Sequence, residues 1–382
     1  MTATVIIGAG MAAYTCAREI RKLDKQMSLA MVSADAGEVY SKPMLSNAIA
    51  NEKSPAQLVT STAAQMAQTL EADILTHTTI DKIDVANRQI IAGDRTVAYE
   101  NLVLALGAQQ RDPGLDNPDA VTIHQINHLD HYRQFRQHLS ARQHVVVVGA
   151  GLIGCEFAND LVAGGYRCSV ISPDLWPLAN LLPQAAGEYF MQRLSASGIQ
   201  WQMGGRARAL GKAGSGIEVA LENNVTVSGD LLLSAVGLTP HVALAQAAGL
   251  HTRRGIVVNE YLRTSDPHVC ALGDCAEFNG QVLPFILPIM HGARALAANL
   301  TGKATALRYP LMPVVVKTPA CPICVLPAAK DQAGYWDISE VEDGLRAVYG
   351  DGQGQVFGFA LLGAAMAERQ FLVKQMMKQA EG

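Results

Sequence analysis

The sequence contains no uninterrupted apolar run near the ~18 residues that a membrane-spanning helix requires. It also lacks a charged opening segment followed by an apolar one, since "MTATVIIGAG" enters a strand-like run almost at once. The expectation is a cytoplasmic chain with no membrane insertion. An excess of positive charge is missing too. Thirty Lys and Arg stand against 34 Asp and Glu, for a net charge of −4, so the broad basic footprint of a nucleic-acid binder is absent. Charged residues make up 17% and hydrophobic residues 49%, which excludes a disordered chain and predicts packed cores. At 382 residues the chain exceeds one ordinary core and should form two or three domains. Its seven cysteines are odd in number. Cys16, Cys155, Cys168, Cys270 and Cys275 sit in apolar contexts and read as buried free thiols. Cys321 and Cys324 form Cys-Pro-Ile-Cys and raise the question of thiol redox chemistry.

Two glycine motifs organise what is present. In "TVIIGAGMAAYTCAREIRKL" (4–23), an apolar strand leads into Gly8, Gly10 and Ala13 and then a helix. The first glycine permits the tight turn and the second lets backbone approach a pyrophosphate. The small third residue lets helix pack on strand, with the helix N-terminus facing the phosphate charge. A second strand, "MSLAMVS", follows, and Asp35 lies just beyond it, where an acid can accept hydrogen bonds from a ribose. The pattern recurs in "HVVVVGAGLIGCEFANDLVAGGYRCSVISPD" (144–174) with Gly149, Gly151 and Gly154 and a helix from about 152 to 163. One such motif is a weak signal. Two, each framed by strand, helix and strand, predict two dinucleotide sites, most simply bound FAD and exchanging NAD(P)H. The second unit ends its second strand on Ser172, with Asp174 two residues on, and no arginine lies between 168 and 192 to hold a 2′-phosphate. That favours NADH.

Further apolar strands run into glycine at 101–111, 230–240 and 264–280, the last placing Asp274 after Gly273. In this order the motifs resemble the two-dinucleotide-fold flavoprotein reductases of the pyridine nucleotide–disulfide oxidoreductase superfamily, over about residues 1–320. "YSKPMLS", "GAGLIGCEFANDL", "ALGDCAEFNG" and "MPVVVKTPACP" narrow the resemblance to rubredoxin reductases, with flavorubredoxin reductases next. The resemblance implies an α/β fold with two Rossmann-like domains. One is an FAD domain split over 1–110 and 239–318, the other an NADH domain over 111–238. A small α+β domain occupies 319–382, and the chain should be a monomer or weak dimer. It implies electron flow from NADH through FAD to rubredoxin, which in some bacteria feeds alkane hydroxylation. A salt-sensitive docking surface is expected, and no metal.

Matched position by position, Gly8, Ala9, Gly10, Met11 and Ala13 would cradle the FAD pyrophosphate, with Ala34 and Asp35 at its adenosine ribose. Ile80, ending a strand "HTTI", would offer backbone to the adenine, and Arg111 would reach the phosphates. Asp274 would take the ribityl chain, while Ile286 and Lys317 would lie at the flavin's pyrimidine end. Gly149, Gly151 and Gly154 would hold NADH. Lys42 and Glu156 would form the catalytic pair beside the flavin. The stretch 283–300 reads as a turn and then a helix starting at His291, its N-terminal dipole toward the flavin. Both places where disulfide-reducing relatives keep their cysteines are empty here. Pro327 opposes a helix after Cys321, so extended chain, with thiols on opposite faces, is the expected state of the CPIC stretch. A reductase for another small carrier such as ferredoxin, a CPIC thiol reductase and an NADH-sensing flavoprotein stay open as alternatives.

Overall fold

The computed structural model describes residues 3–140, 143–329 and 331–381. The chain divides into two compact units. The first comprises Met1–Lys42, Ala56–Gln109 and Leu238–Pro310, and the second Pro43–Pro55, Gln110–Gly237 and Leu311–Gly382.

The first unit is built on a parallel sheet in the order Asp73–Leu75, Leu29–Val32, Ala3–Ile7, Arg95–Leu104, with Val269–Ala271 on the far side of Arg95–Leu104. The Ala3–Ile7 strand is central and Val5 and Ile6 are fully buried, which is why it is apolar at every position. The long Arg95–Leu104 strand also pairs antiparallel with Gln89–Ala92 through its first half. Met11–Leu23 forms the helix after the first glycine motif and packs on Ile286–Leu300. The expected strand "HTTI" does not form. The strand stops at Leu75, His77 takes φ +49°, and the Thr78 N–H bonds to Ser33 O at 2.8 Å. Ile80 therefore sits on irregular backbone tied to the exit of the Leu29–Val32 strand. The expected helix start at His291 is also corrected. The helix begins at Ile286 because Pro288 falls within its first turn, where its missing N–H has no intrahelical partner to lose.

The second unit holds a five-stranded parallel sheet in the order Ile123–His124, Leu231–Ser234, His144–Val148, Arg167–Ser172, Ile199–Met203. Leu152–Ala163 is the helix after the second glycine motif. A three-stranded antiparallel sheet, Ala207–Ala213, Gly216–Leu221 and Thr226–Gly229, buries Val219 and Leu210 against Val146 and Ile171. The C-terminal part of this unit is a five-stranded antiparallel sheet in the order Val314–Val316, Ile323–Leu326, Val356–Gly363, Gly344–Gly350, Tyr335–Val341. The helix Arg369–Glu381 packs on it through Leu372 and Met376. The sheet takes in Val314–Val316, ahead of the boundary at 319 expected from sequence.

One consequence for stability follows from His124. It is 6% exposed, its Nε2 has no hydrogen-bond partner among the described residues, and burial together with His138 holds its pKa down to about 4. A histidine depressed in the folded state stabilises the fold fully above its unfolded pKa near 6.5 and loses that contribution as pH falls toward the folded value, on the order of 3 kcal/mol. Asp160, pushed up to about 6 by burial, acts in the opposite sense over the same range. The two are separated by substitution. His124→Phe keeps the edge contact with Phe135 and should lose less Tm between pH 7 and pH 5 than the unsubstituted chain. Equal losses would show that His124 is not an acid-sensitive point.

Candidate nucleotide-binding and electron-transfer site

The two glycine motifs repeat the same local geometry. Gly8 and Gly149 have φ of +122° and +113°. A Cβ at Gly8 would run into Ala105 O, and one at Gly149 would lie 2.5 Å from Ala235 O. Glycine is therefore required at both turns. The middle glycines differ in kind. Nothing lies within 4 Å of where a Cβ would stand at Gly10 or Gly151. These residues are the N-caps of the two helices, and neither helix has a side-chain cap. Open backbone in front of uncapped helix N–H groups suits a pyrophosphate. The third positions are tight. Ala13 is fully buried, and a Cβ at Gly154 would collide with Gly149 O.

The resemblance between the two halves extends to the exits of the second strands. Ser33 Oγ donates to Asp35 Oδ1 at 2.6 Å, and Asp35 also accepts from the Gly37 N–H at 2.8 Å. In the second unit Ser172 Oγ lies 3.3 Å from Asp174 Oδ2, and the Asp174 N–H bonds back to Ser172 Oγ at 3.2 Å. Both serines are buried and both acids exposed. The serine at the strand end thus orients an acid two residues on. This Ser-x-Asp repeat was within reach of the sequence ("VSAD" and "ISPD") but reads as a repeat only once the hydrogen bonds are seen.

In the first unit Gly273, at φ +82°, brings the chain over the start of the first helix, where a Cβ would lie 2.7 Å from Ala12 Cβ. Asp274 follows directly. Burial raises its pKa and Lys42 lowers it, while burial lowers the Lys42 pKa and Asp274 raises it. Each group's charge opposes the burial that favours the other's neutral form. His241 is pushed down by burial and by the same lysine. Ile286 is 42% exposed at the first position of its helix, and Met11, Ala9 and Ala34 flank the motif residues already described.

In the second unit the helix Leu152–Ala163 turns a polar edge inward. Glu156 Oε2 accepts from Ser46 Oγ at 2.6 Å, and Oε1 from the Lys317 N–H at 2.9 Å. The Lys317 ammonium lies 4.0 Å from Oε2 and donates to Pro43 O at 2.6 Å. Asp160, one turn on, accepts from the Ile49 and Ala50 N–H groups at 3.0 and 2.9 Å. Asn159 accepts from Ala320 N–H at 3.2 Å. Within its own unit, then, the charge opposite Glu156 is Lys317, and that opposite Lys42 is Asp274. Arg111 is exposed, its N–H bonded to Gly237 O at 3.0 Å.

The CPIC stretch is half as expected. Cys324 lies in the strand Ile323–Leu326, but Cys321 falls in the turn before it. There the Cys321 N–H bonds to Thr318 O, and Thr318 Oγ1 to Cys321 O. The two thiols are 2% and 0% exposed and free. Burial pushes Cys321 up to about 11 and raises Cys324 as well. Protonated, sheltered thiols are poor nucleophiles. All seven cysteines are buried and free.

No helix among the described residues is long and apolar enough to cross a membrane, and no group of metal-ligating side chains occurs among them. Comparison with known proteins agrees with the double-nucleotide geometry. Residues 2–298 match the family model described as pyridine nucleotide-disulphide oxidoreductase, and residues 306–376 match that described as rubredoxin binding C-terminal domain. The chain is 42% identical over 381 residues to a rubredoxin-NAD(+) reductase of Acinetobacter baylyi, covering 98% of this chain and 97% of that one. It is 40% identical over 373 residues to another from Alcanivorax borkumensis, covering 97% and 98%. Among solved structures it is similar to the ferredoxin reductase for the CYP199A2 system from Rhodopseudomonas palustris, with a TM-score of 0.84 at 29% identity, covering 94% and 91%. The chain belongs to the pyridine nucleotide-disulphide oxidoreductase family and carries a C-terminal domain of the rubredoxin-binding type.

Proposed function

We propose that this oxidoreductase takes electrons from NADH and passes them through FAD to rubredoxin. The observation that carries the reading is the pair of open, uncapped glycine turns joined in one chain to a rubredoxin-binding domain. Two nucleotide cradles fit one resident and one exchanging dinucleotide, and the extra domain fits a protein acceptor. Bound FAD supplies the conversion of two-electron to one-electron chemistry. The chain's own residues bind, orient and balance charge. Gly8, Ala9, Gly10, Met11 and Ala13 present backbone to the FAD pyrophosphate, with Ala34, Asp35, Ile80 and Arg111 serving the rest of the nucleotide. Asp274 accepts hydrogen bonds from the ribityl chain, and the charge of Lys42 opposes the burial that raises its pKa. Ile286 and Lys317 provide backbone and positive charge where electron density grows. Gly149, Gly151 and Gly154 receive NADH, and Glu156, held by the Ser46 hydroxyl and the Lys317 N–H, orients the reacting ring. The buried CPIC thiols are packing groups. The site of action is the cytoplasm, and the electrons delivered to rubredoxin suit a hydroxylase such as an alkane hydroxylase.

Asp174 sets the nucleotide preference. An exposed carboxylate held by Ser172 accepts from a ribose hydroxyl and repels a 2′-phosphate. Anaerobic mixing with NADH and rubredoxin should bleach the rubredoxin visible band catalytically, with NADPH slower by about tenfold or more. Asp174→Asn should narrow that gap from both sides. Rubredoxin left oxidised while NADH still reduces the flavin would reject the acceptor. An unchanged nucleotide ratio in Asp174→Asn would reject the role of Asp174.

A further inference from the structure

Ser46 belongs to neither glycine motif, and no spacing rule links it to Glu156. Yet it makes the shortest contact to that carboxylate, 2.6 Å from Oγ to Oε2. Serine and glutamate are 5% and 3% exposed. A hydroxyl this close to a buried carboxylate is a charge-assisted donor, stronger than a neutral hydrogen bond. The other donors cannot replace it. The Lys317 N–H serves the opposite oxygen, Oε1, at 2.9 Å. The Lys317 ammonium stands 4.0 Å from Oε2, beyond hydrogen-bond range, and is committed to Pro43 O at 2.6 Å. Nor has Ser46 a competing acceptor of similar quality, since Pro43 O lies 3.4 Å away and is already served by Lys317. The serine sits at a kink between two single turns, with φ −90° and ψ 16°. That kink aims its hydroxyl at the helix Leu152–Ala163.

We propose that Ser46 is a positioning residue for the NADH reaction, its hydroxyl fixing the Glu156 carboxylate in the orientation the reaction uses. The inference rests on the reading of Glu156 given above. Lys317 and Cys155 are the titratable groups that face Glu156 within the unit. Cys155 stays a thiol, held up by burial and donating to Ala150 O at 3.4 Å, so Ser46 and Lys317 alone oppose the burial that favours the protonated acid. Removing the hydroxyl leaves Oε2 with no hydrogen-bond donor and moves the Glu156 titration upward by about one pH unit.

The test has two readouts on FAD-loaded protein. The first is the ¹³C resonance of the Glu156 side-chain carboxyl, identified by its loss in Glu156→Gln and titrated with pH. The second is the pH profile of kcat/KM for NADH. In Ser46→Ala both should shift upward together, costing about tenfold in kcat/KM on the acid side and little at high pH. Ser46→Thr, which restores a hydroxyl, should return both. Should Ser46→Ala fail to hold FAD, Ser46→Cys, with its weaker donor, should give a smaller shift in the same direction. A Glu156 resonance that titrates in Ser46→Ala as in the unsubstituted enzyme overturns the inference while leaving the NADH reading intact. A resonance that shifts while kcat/KM keeps its profile, or full activity in Glu156→Gln, overturns the role of Glu156 instead.

Discussion

Gly154→Ala is expected to give a yellow protein that uses NADH poorly, with KM raised about thirtyfold or more. A Cβ at this position would collide with Gly149 O, the carbonyl of the first glycine of the same motif. Both partners are backbone, so neither can rotate away. Gly149 is itself held, with φ +113° and its own Cβ direction blocked by Ala235 O at 2.5 Å. The helix Leu152–Ala163 must therefore shift off the His144–Val148 strand. Overpacking of this kind costs about 1–3 kcal/mol. Spent at a nucleotide cradle, 2 kcal/mol is roughly thirtyfold in binding. The first unit, with its own glycine turn at Gly8 and Gly10, is untouched, so FAD content should stay at the level of the unsubstituted protein. Gly151→Ala is the control. Its Cβ would enter open space, so it should raise KM without lowering Tm, whereas Gly154→Ala should change both. Loss of flavin in Gly154→Ala would contradict the assignment of this cradle to NADH.

Asp274→Ala should produce a colourless protein, with FAD affinity down about a hundredfold or more. The carboxylate is half-buried beside the start of the first helix, and the pKa directions of Asp274 and Lys42 show each stabilising the other's charge against burial. Removing Asp274 takes away a charged hydrogen-bond acceptor, worth about 1.5–3 kcal/mol, and leaves Lys42 without the charge that opposes its burial. Lys42→Met should differ in kind from Asp274→Ala. Without its cation, Asp274 drifts further upward, so FAD retention becomes pH-dependent, better at alkaline than at neutral pH. Flavin absorbance per protein, with dissociation constants from fluorescence titration at pH 6 and pH 8.5, reads both effects. An Asp274→Ala protein that binds FAD as tightly as the unsubstituted chain would remove Asp274 from the site.

The parts of this molecule that follow from local physics were legible in the sequence. Each glycine motif carries its own reasons within about thirty residues, and strands and helices stand where those reasons place them, at Ala3–Ile7 and Met11–Leu23 and again at His144–Val148 and Leu152–Ala163. Short stretches that depend on a distant neighbour were misread. "HTTI" has β-forming threonines, but its backbone is captured by Ser33 and Asp35 carbonyls rather than by a strand. The helix expected to start at His291 starts at Ile286, with Pro288 in its first turn. Cys321 was expected in extended chain and sits in a turn closed by Thr318. The hydrogen bonds of Glu156 were illegible for a different reason. Ser46 and Lys317 lie 110 and 161 residues from it in the chain, and side-chain pairing over such separations is set by the fold, not by any local pattern. His241 beside Lys42 belongs to the same class.

The most direct test of the account is an anaerobic titration of the FAD-loaded protein with NADH, followed at the flavin absorbance. With CPIC buried, protonated and inert, the flavin is the sole two-electron centre. Reduction should then be complete at about one NADH per FAD, and added oxidised rubredoxin should restore the yellow colour. An endpoint near two NADH per FAD would contradict the account, because a second two-electron centre would then be present and Cys321 and Cys324 would be its nearest candidates.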